Sequence, residues 1–174
     1  MGSDGTHRRH LTDGRDSTPA WSRDGRRIVF SRAVGANKDE LWLMNADGTG
    51  AHRLAGGLGG VSPDFSPDGR RIVFYSRESG AEVIYEIDAN GGEPARITDG
   101  RDPRWLLDSS LVLSVRGGLN NTWRIVRLDH GRLRTIVDTE GDELIPIPSF
   151  DGRWITFASA SPDAPGGTHA KANG

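Results

Sequence analysis

Short apolar runs, separated by clusters of Asp, Asn, Gly, Ser and Pro, set the rhythm of the chain. Arg27-Ile28-Val29-Phe30, Leu41-Trp42-Leu43-Met44, Val83-Ile84-Tyr85-Glu86-Ile87 and Trp123-Arg124-Ile125-Val126 are strand-length and rich in β-branched and aromatic residues. No window keeps a helical period of apolar positions, so the pattern predicts an all-β protein. The punctuation between runs has a physical basis. In Ser22-Arg23-Asp24-Gly25 the Ser opens a turn, the Asp side chain folds onto local backbone, and the Gly accepts a positive φ. A second kind of hairpin joins Leu41–Met44 to His52-Arg53-Leu54 across Asn45-Ala46-Asp47-Gly48-Thr49-Gly50.

The runs recur. Pro19-Ala20-Trp21-Ser22-Arg23-Asp24-Gly25-Arg26-Arg27-Ile28-Val29-Phe30 returns as Pro63-Asp64-Phe65-Ser66-Pro67-Asp68-Gly69-Arg70-Arg71-Ile72-Val73-Phe74, and weaker copies surround Asp108 and Asp151. The four aspartates are spaced by 44, 40 and 43 residues. Two hairpins in a period of roughly 40 to 45 residues mark a four-stranded propeller blade. Three complete blades are expected at about 13–56, 57–99 and 100–139, with partial blades at 1–12 and 140–159 and a disordered polar tail at 160–174. A single blade cannot cover both faces, so stacking is expected to bury residues such as Ile28, Phe30, Ile72, Phe74, Leu111 and Leu113. Because the chain starts and stops inside blades, an open or fragmentary ring is expected, and self-association could complete it.

Composition narrows function by exclusion. The 174 residues are 34% hydrophobic and 26% charged, ordinary for a globular domain. A formal net charge of −2, with Arg interleaved among Asp and Glu, gives no basic cluster for a nucleic-acid partner. No segment approaches the roughly 18 apolar residues of a membrane helix, so no membrane insertion is expected. Met1–Thr6 lacks the apolar core of a signal peptide. There is no cysteine, which excludes disulfides and thiol catalysis and leaves the compartment open.

The motif Pro-x-Trp-Ser-x-Asp-Gly-Arg-x-Ile-x-Phe, followed by Ser-Arg, an Ile-Tyr strand, Asp-Ala-Asn-Gly-Gly and Ile-Thr, resembles the TolB-type propeller repeat. Tyr75-Ser76-Arg77 through Ile84-Tyr85, Asp88-Ala89-Asn90-Gly91-Gly92 and Ile97-Thr98 carry it most fully. The resemblance covers residues 1 to about 159. It departs at Asp108-Ser109-Ser110, where Asp-Gly-Arg is the pattern, and at Pro148, which stands at the Trp position. It implies a non-enzymatic scaffold: TolB-type propellers dock cell-envelope proteins in the periplasm. Similar repeats form the non-catalytic propeller of prolyl-oligopeptidase-like serine hydrolases.

Catalytic chemistry finds little footing. No serine sits in Gly-x-Ser-x-Gly. His7 and His10 could share a strand face, but no third ligand completes a zinc site. Asn45, Asp47, Thr49 and Gly50 mimic the start of a calcium loop, yet Gly56 stands where a bidentate Glu is needed. No cofactor or metal is expected. The remaining constellation is charged: Arg32, Arg77 and Arg116 end second strands, while Asp16, Asp102, Asp142 and Glu143 precede or begin first strands. In a propeller both sets fall at one rim of the channel. Such a rim could receive a protein or peptide through bidentate Arg–carboxylate contacts, or the charges could pair with each other and hold the blades, the account favoured here.

Overall fold

The structure, a computed structural model, describes residues 6, 8–36, 38–54, 57–77 and 80–160, together with the backbone of His169–Lys171. It is all β, apart from one short 3-10 turn at Leu119–Asn121. The first sheet holds β1 (Asp16–Trp21), β2 (Arg27–Gly35), β3 (Lys38–Asn45) and β4 (His52–Arg53) in sequential antiparallel order. The second holds β5 (Val61–Phe65), β6 (Arg71–Ser76), β7 (Val83–Asp88) and β8 (Ala95–Asp99), and the third β9 (Arg101–Trp105), β10 (Leu111–Arg116), β11 (Trp123–Asp129) and β12 (Arg132–Val137). The fourth has three strands: β13 (Glu143–Pro148), β14 (Trp154–Ser159) and β15 (His169–Lys171). These are propeller blades in an open arc, as the repeat predicts. The segment read as a tail thus contributes a third strand, paired along Trp154–Thr156.

Residues 6 and 8–12 form no strand, and the rest of the first partial blade lies outside the described residues. Leu11 nevertheless packs on Ile28, Phe30 and Met44. It does for the first blade what Leu54 does for the second, where Leu54 joins Phe65, Ile72 and Phe74 in one cluster. The sequence match of Leu11 with Leu54 is therefore a match of packing role.

The turns obey their chemistry. Ser22 Oγ donates to Asp24 Oδ1 at 2.6 Å while accepting from Arg27 N at 2.9 Å, and Arg26 N donates to Asp24 Oδ1 at 3.0 Å. Ser66 with Asp68 and Ser149 with Asp151 repeat the arrangement. These bonds hold the carboxyls of Asp24, Asp68 and Asp151 below their ordinary value, the serine hydroxyl being the largest cause. At Asp108 burial opposes the shift, and the hydroxyl and amide of Ser110 outweigh it.

Each first strand is bulged at the residue before its proline. Thr18, Ser62, Asp102 and Ile145 have φ of 47°, 54°, 52° and 55° and precede Pro19, Pro63, Pro103 and Pro146. The ladder register slips beside each of them. Proline denies its predecessor the right-handed helical region, and the bulge takes up the extra residue in the left-handed one. Such strain costs on the order of 1–3 kcal/mol per residue and persists where packing over-determines it.

The core lies between blades. Val29, Leu41 and Leu43 of the first face Phe65, Ile72, Phe74 and Ile87 of the second. Val73, Tyr75 and Ile84 of the second face Trp105, Leu111 and Leu113 of the third, and Val112 and Ile125 of the third face Ile155. Cation–π rungs bridge the same joints: Arg27 lies 5.2 Å from the Phe65 ring and Arg71 4.8 Å from that of Trp105. Close approach at the joints needs glycine. A Cβ on Gly100, whose φ is +144°, would sit 2.8 Å from Ser114 O.

Candidate functional site

The first strands β1, β5, β9 and β13 pack side by side in that order along the inner side of the arc. Their two ends carry different chemistry. At the end where first strands begin and second strands finish, the charged residues singled out from the sequence are placed, mostly in partnerships. Arg32 forms a two-bonded pair with Asp16 inside the first blade, Nε to Oδ1 at 2.7 Å and Nη2 to Oδ2 at 2.9 Å. Arg32 also lies over Trp42, 4.3 Å from the ring centroid. The hydrogen bonds from Arg32 hold the Asp16 carboxyl below its ordinary value, helped by Thr12.

The other candidates take different partners. Arg77 Nη2 donates to Tyr75 Oη at 2.7 Å and its Nε stands 3.5 Å from Glu82. Asp102 is buried and pairs at 3.0 Å with Arg101, which also reaches Glu82 of the preceding blade at 3.4 Å. Asp142 accepts from Trp123 N at 2.9 Å. Glu143 is fully buried, its Oε1 accepting from Thr139 and from Ser159 Oγ at 2.9 Å while Oε2 has no hydrogen-bond partner among the described residues. Arg101 and Glu82, absent from the sequence reading, are what join the second and third blades at this rim. Their signal was available only as adjacency to Asp102 and Arg77, since the repeat carries no copies of them.

Arg116 stands apart. Its exposed guanidinium lies 5.5 Å from the Trp123 ring, with no ion pair among the described residues. Arg77, Arg116, Trp123, Val115 and the half-exposed Leu133 line a groove of about 780 Å³ between the second and third blades. Tyr75, the hydrogen-bond partner of Arg77, has its phenol pushed up by burial and by Asp102.

At the other end lies a cavity of about 540 Å³ lined by the Ser-x-Asp-Gly turns of the first and fourth blades and by residues of the second and third. Aromatic residues Trp21, Phe65, Trp105 and Phe150 line it together with Asp64 and Arg104. The Asp64 carboxyl is pushed up by burial, although its Oδ2 accepts from Trp105 N at 2.8 Å. Sequence reasoning passed over Asp64 because it occupies the variable position of the Pro-x-aromatic motif, matched by Ala20, Arg104 and Ile147 elsewhere.

The histidine and calcium patterns gain nothing. His7 and Gly56 lie outside the described residues. Asp47 Oδ1 is occupied as a turn acceptor, by Thr49 N at 2.9 Å and Thr49 Oγ1 at 2.7 Å.

Comparison with known proteins agrees with the blade architecture. Residues 5–168 match a family described as the TolB beta propeller domain. The chain is 26% identical over 152 residues to the uncharacterized peptidase YuxL of Bacillus subtilis, covering 83% of this chain and 22% of the peptidase. It is 34% identical over 102 residues to the Tol-Pal system protein TolB of Gluconobacter oxydans, covering 53% and 22%. The crystal structure of TolB from Acinetobacter baumannii superposes with a TM-score of 0.76 at 22% identity, over 96% of this chain and 43% of that one. The chain spans between about a fifth and a half of the length of the curated relatives it matches.

Proposed function

This chain belongs to the TolB beta propeller domain family, and from that premise we propose that it is a non-enzymatic scaffold binding a protein or peptide at the channel rim. The observation that carries the reading is Arg116. The Arg116 guanidinium lies over the Trp123 ring and, with no ion pair among the described residues, is available to a carboxylate on a partner. Val115 and Leu133 beside it supply apolar contact, so an acidic peptide with an apolar residue fits the groove. Fluorescence anisotropy with labelled Asp/Glu-rich and Lys-rich peptides tests this. The acidic set is expected to bind, with roughly tenfold loss in Arg116→Ala and a smaller loss in Arg116→Lys. Equal binding of both sets, or indifference to Arg116→Ala, would overturn it. The exposed Trp21 face suits self-association with a second copy, which light scattering would register as a dimer.

A second reading is favoured by the likeness to a peptidase: the chain is the propeller portion of a prolyl-oligopeptidase-like serine hydrolase, gating access to a catalytic domain. A reading frame that joins these blades to an α/β-hydrolase domain bearing Gly-x-Ser-x-Gly would select it.

A further inference from the structure

We propose that the cavity at the turn end of the first strands binds an organic cation, an alkyl guanidinium or ammonium of side-chain size, between the Phe150 ring and the Asp64 carboxylate. This is a different site, at the opposite end of the strands from Arg116, and does not depend on the rim reading.

The walls have the chemistry for it. Four aromatic residues face or flank a space of about 540 Å³, within the range of small-ligand sites, and a single carboxylate stands among them. Aromatic faces attract cations through their quadrupole, and the attraction grows as water is excluded. The nearest internal cation is Arg104, whose charge acts on Asp64 but whose Nη1 makes its hydrogen bonds elsewhere. It donates to Pro103 O at 2.8 Å, to Ser62 Oγ at 3.0 Å and to Ser62 O at 3.1 Å. Asp64 is met at Oδ2 by the backbone N–H of Trp105, and the backbone N–H of Phe65 also acts on the carboxyl.

The cavity already shows what it accepts. Arg23, on the exposed first turn, holds its guanidinium 5.6 Å from the centroid of the Phe150 ring, and its charge acts on Asp64. This cation reaches across from the first blade to the fourth on a flexible, solvent-facing side chain, so an external cation can displace it. An anion is the competing occupant, drawn by Arg23 and Arg104; the hydrogen bonds of Arg104 to Pro103 O, Ser62 O and Ser62 Oγ and the half-buried Asp64 carboxylate weigh against it.

The test uses the tryptophans of the wall as reporters. Trp fluorescence and isothermal titration with N-acetylarginine amide are expected to give saturable binding, with the neutral isostere N-acetylcitrulline amide at least tenfold weaker. Agmatine in a parallel titration separates a free amine from a peptide side chain as the source of the cation. Asp64→Asn keeps an acceptor for Trp105 N and is expected to weaken binding about tenfold. Phe150→Leu, at an exposed position that folding does not need, is expected to weaken it roughly three- to fivefold. Arg23→Ala removes the internal competitor and is expected to tighten binding, while Arg116→Ala leaves it unchanged. Equal affinity for arginine and citrulline amides, preference for N-acetylglutamate, or no binding by the Arg23→Ala protein would overturn the proposal.

Discussion

Trp21 and its repeat partners Phe65 and Trp105 occupy one place in the motif and live in different surroundings. Phe65 is 3% and Trp105 7% exposed, whereas Trp21 is 56% exposed. The prolines two residues earlier follow suit, Pro63 and Pro103 being buried and Pro19 exposed. Local structure is similar in all three: a bulged first strand, a left-handed residue before the proline, and an Asp-centred turn after the aromatic, closed by Ser22 and Ser66 in the first two and by Ser110 in the third. What differs is the neighbour. The side chain at this place is covered by the preceding blade and by an Arg from that blade's second strand, and β1 has no such neighbour within the described residues. In a propeller, the sequence of a blade thus specifies a surface, and stacking decides whether that surface becomes core.

The comparison breaks most visibly on truncation. Phe65→Ala is expected to cost about 3–5 kcal/mol by urea unfolding, because it empties a joint between two blades and strands the Arg27 rung. Trp21→Ala should lose under about 1 kcal/mol by the same measurement. Equal losses would mean that Trp21 is covered in solution. Gly100→Ala follows, at about 1–3 kcal/mol, since a side chain there meets both a positive φ and the Ser114 carbonyl.

Arg32→Ala comes next. It leaves the half-buried Asp16 without its pair and should cost about 1–3 kcal/mol, whereas Arg116→Ala at the same rim should leave the melting temperature nearly unchanged. The fourth blade sharpens the contrast. Glu143 aligns with Asp16 but faces Ser159 where Arg32 would be, so Glu143→Gln, which keeps an acceptor for Ser159 Oγ, should change the melting temperature less than Arg32→Ala does.

The smallest effects concern pH. The turn carboxyls of Asp24, Asp68, Asp108 and Asp151 sit below their ordinary value in the folded chain. Their contribution is fully present above the unfolded value of about 3.9 and is lost as pH falls through the depressed folded values. Asp64 has the opposite sign. Its folded carboxyl is raised, so ionisation costs stability at neutral pH, and the cost fades as pH falls through the raised value toward about 3.9. Asp64→Asn should therefore raise the melting temperature at pH 7 and lose that advantage near pH 4. Asp68→Asn should lower it at pH 7 and matter little in strong acid.

Much of this molecule is legible along the chain because its information is local and repeated. Ser22, Asp24 and Gly25 make a turn wherever they fall together, and the continuous apolar run in Arg71–Ser76 makes a strand buried on both faces. The rim was legible as a set of charges and illegible as a set of partners. Arg32 and Asp16 are joined within one blade rather than across two; Arg77 found Glu82, Asp102 found Arg101, and Arg116 found an indole. Side-chain pairing depends on angles between strands that a spacing of residues does not encode. The turn-end cavity escaped entirely, because Asp64 and Phe150 come from non-repeating positions.

The sequence alone determined the strands, turns and blade period, since these follow from φ preferences, short-range hydrogen bonds and short apolar runs within a few residues of each other. The tertiary structure decided which aromatic is core, which arginine is left with an aromatic face in place of a carboxylate, and which acid is buried. Those outcomes depend on the face of a neighbouring blade about 40 residues away, where burial and electrostatics are settled by contact rather than by order along the chain.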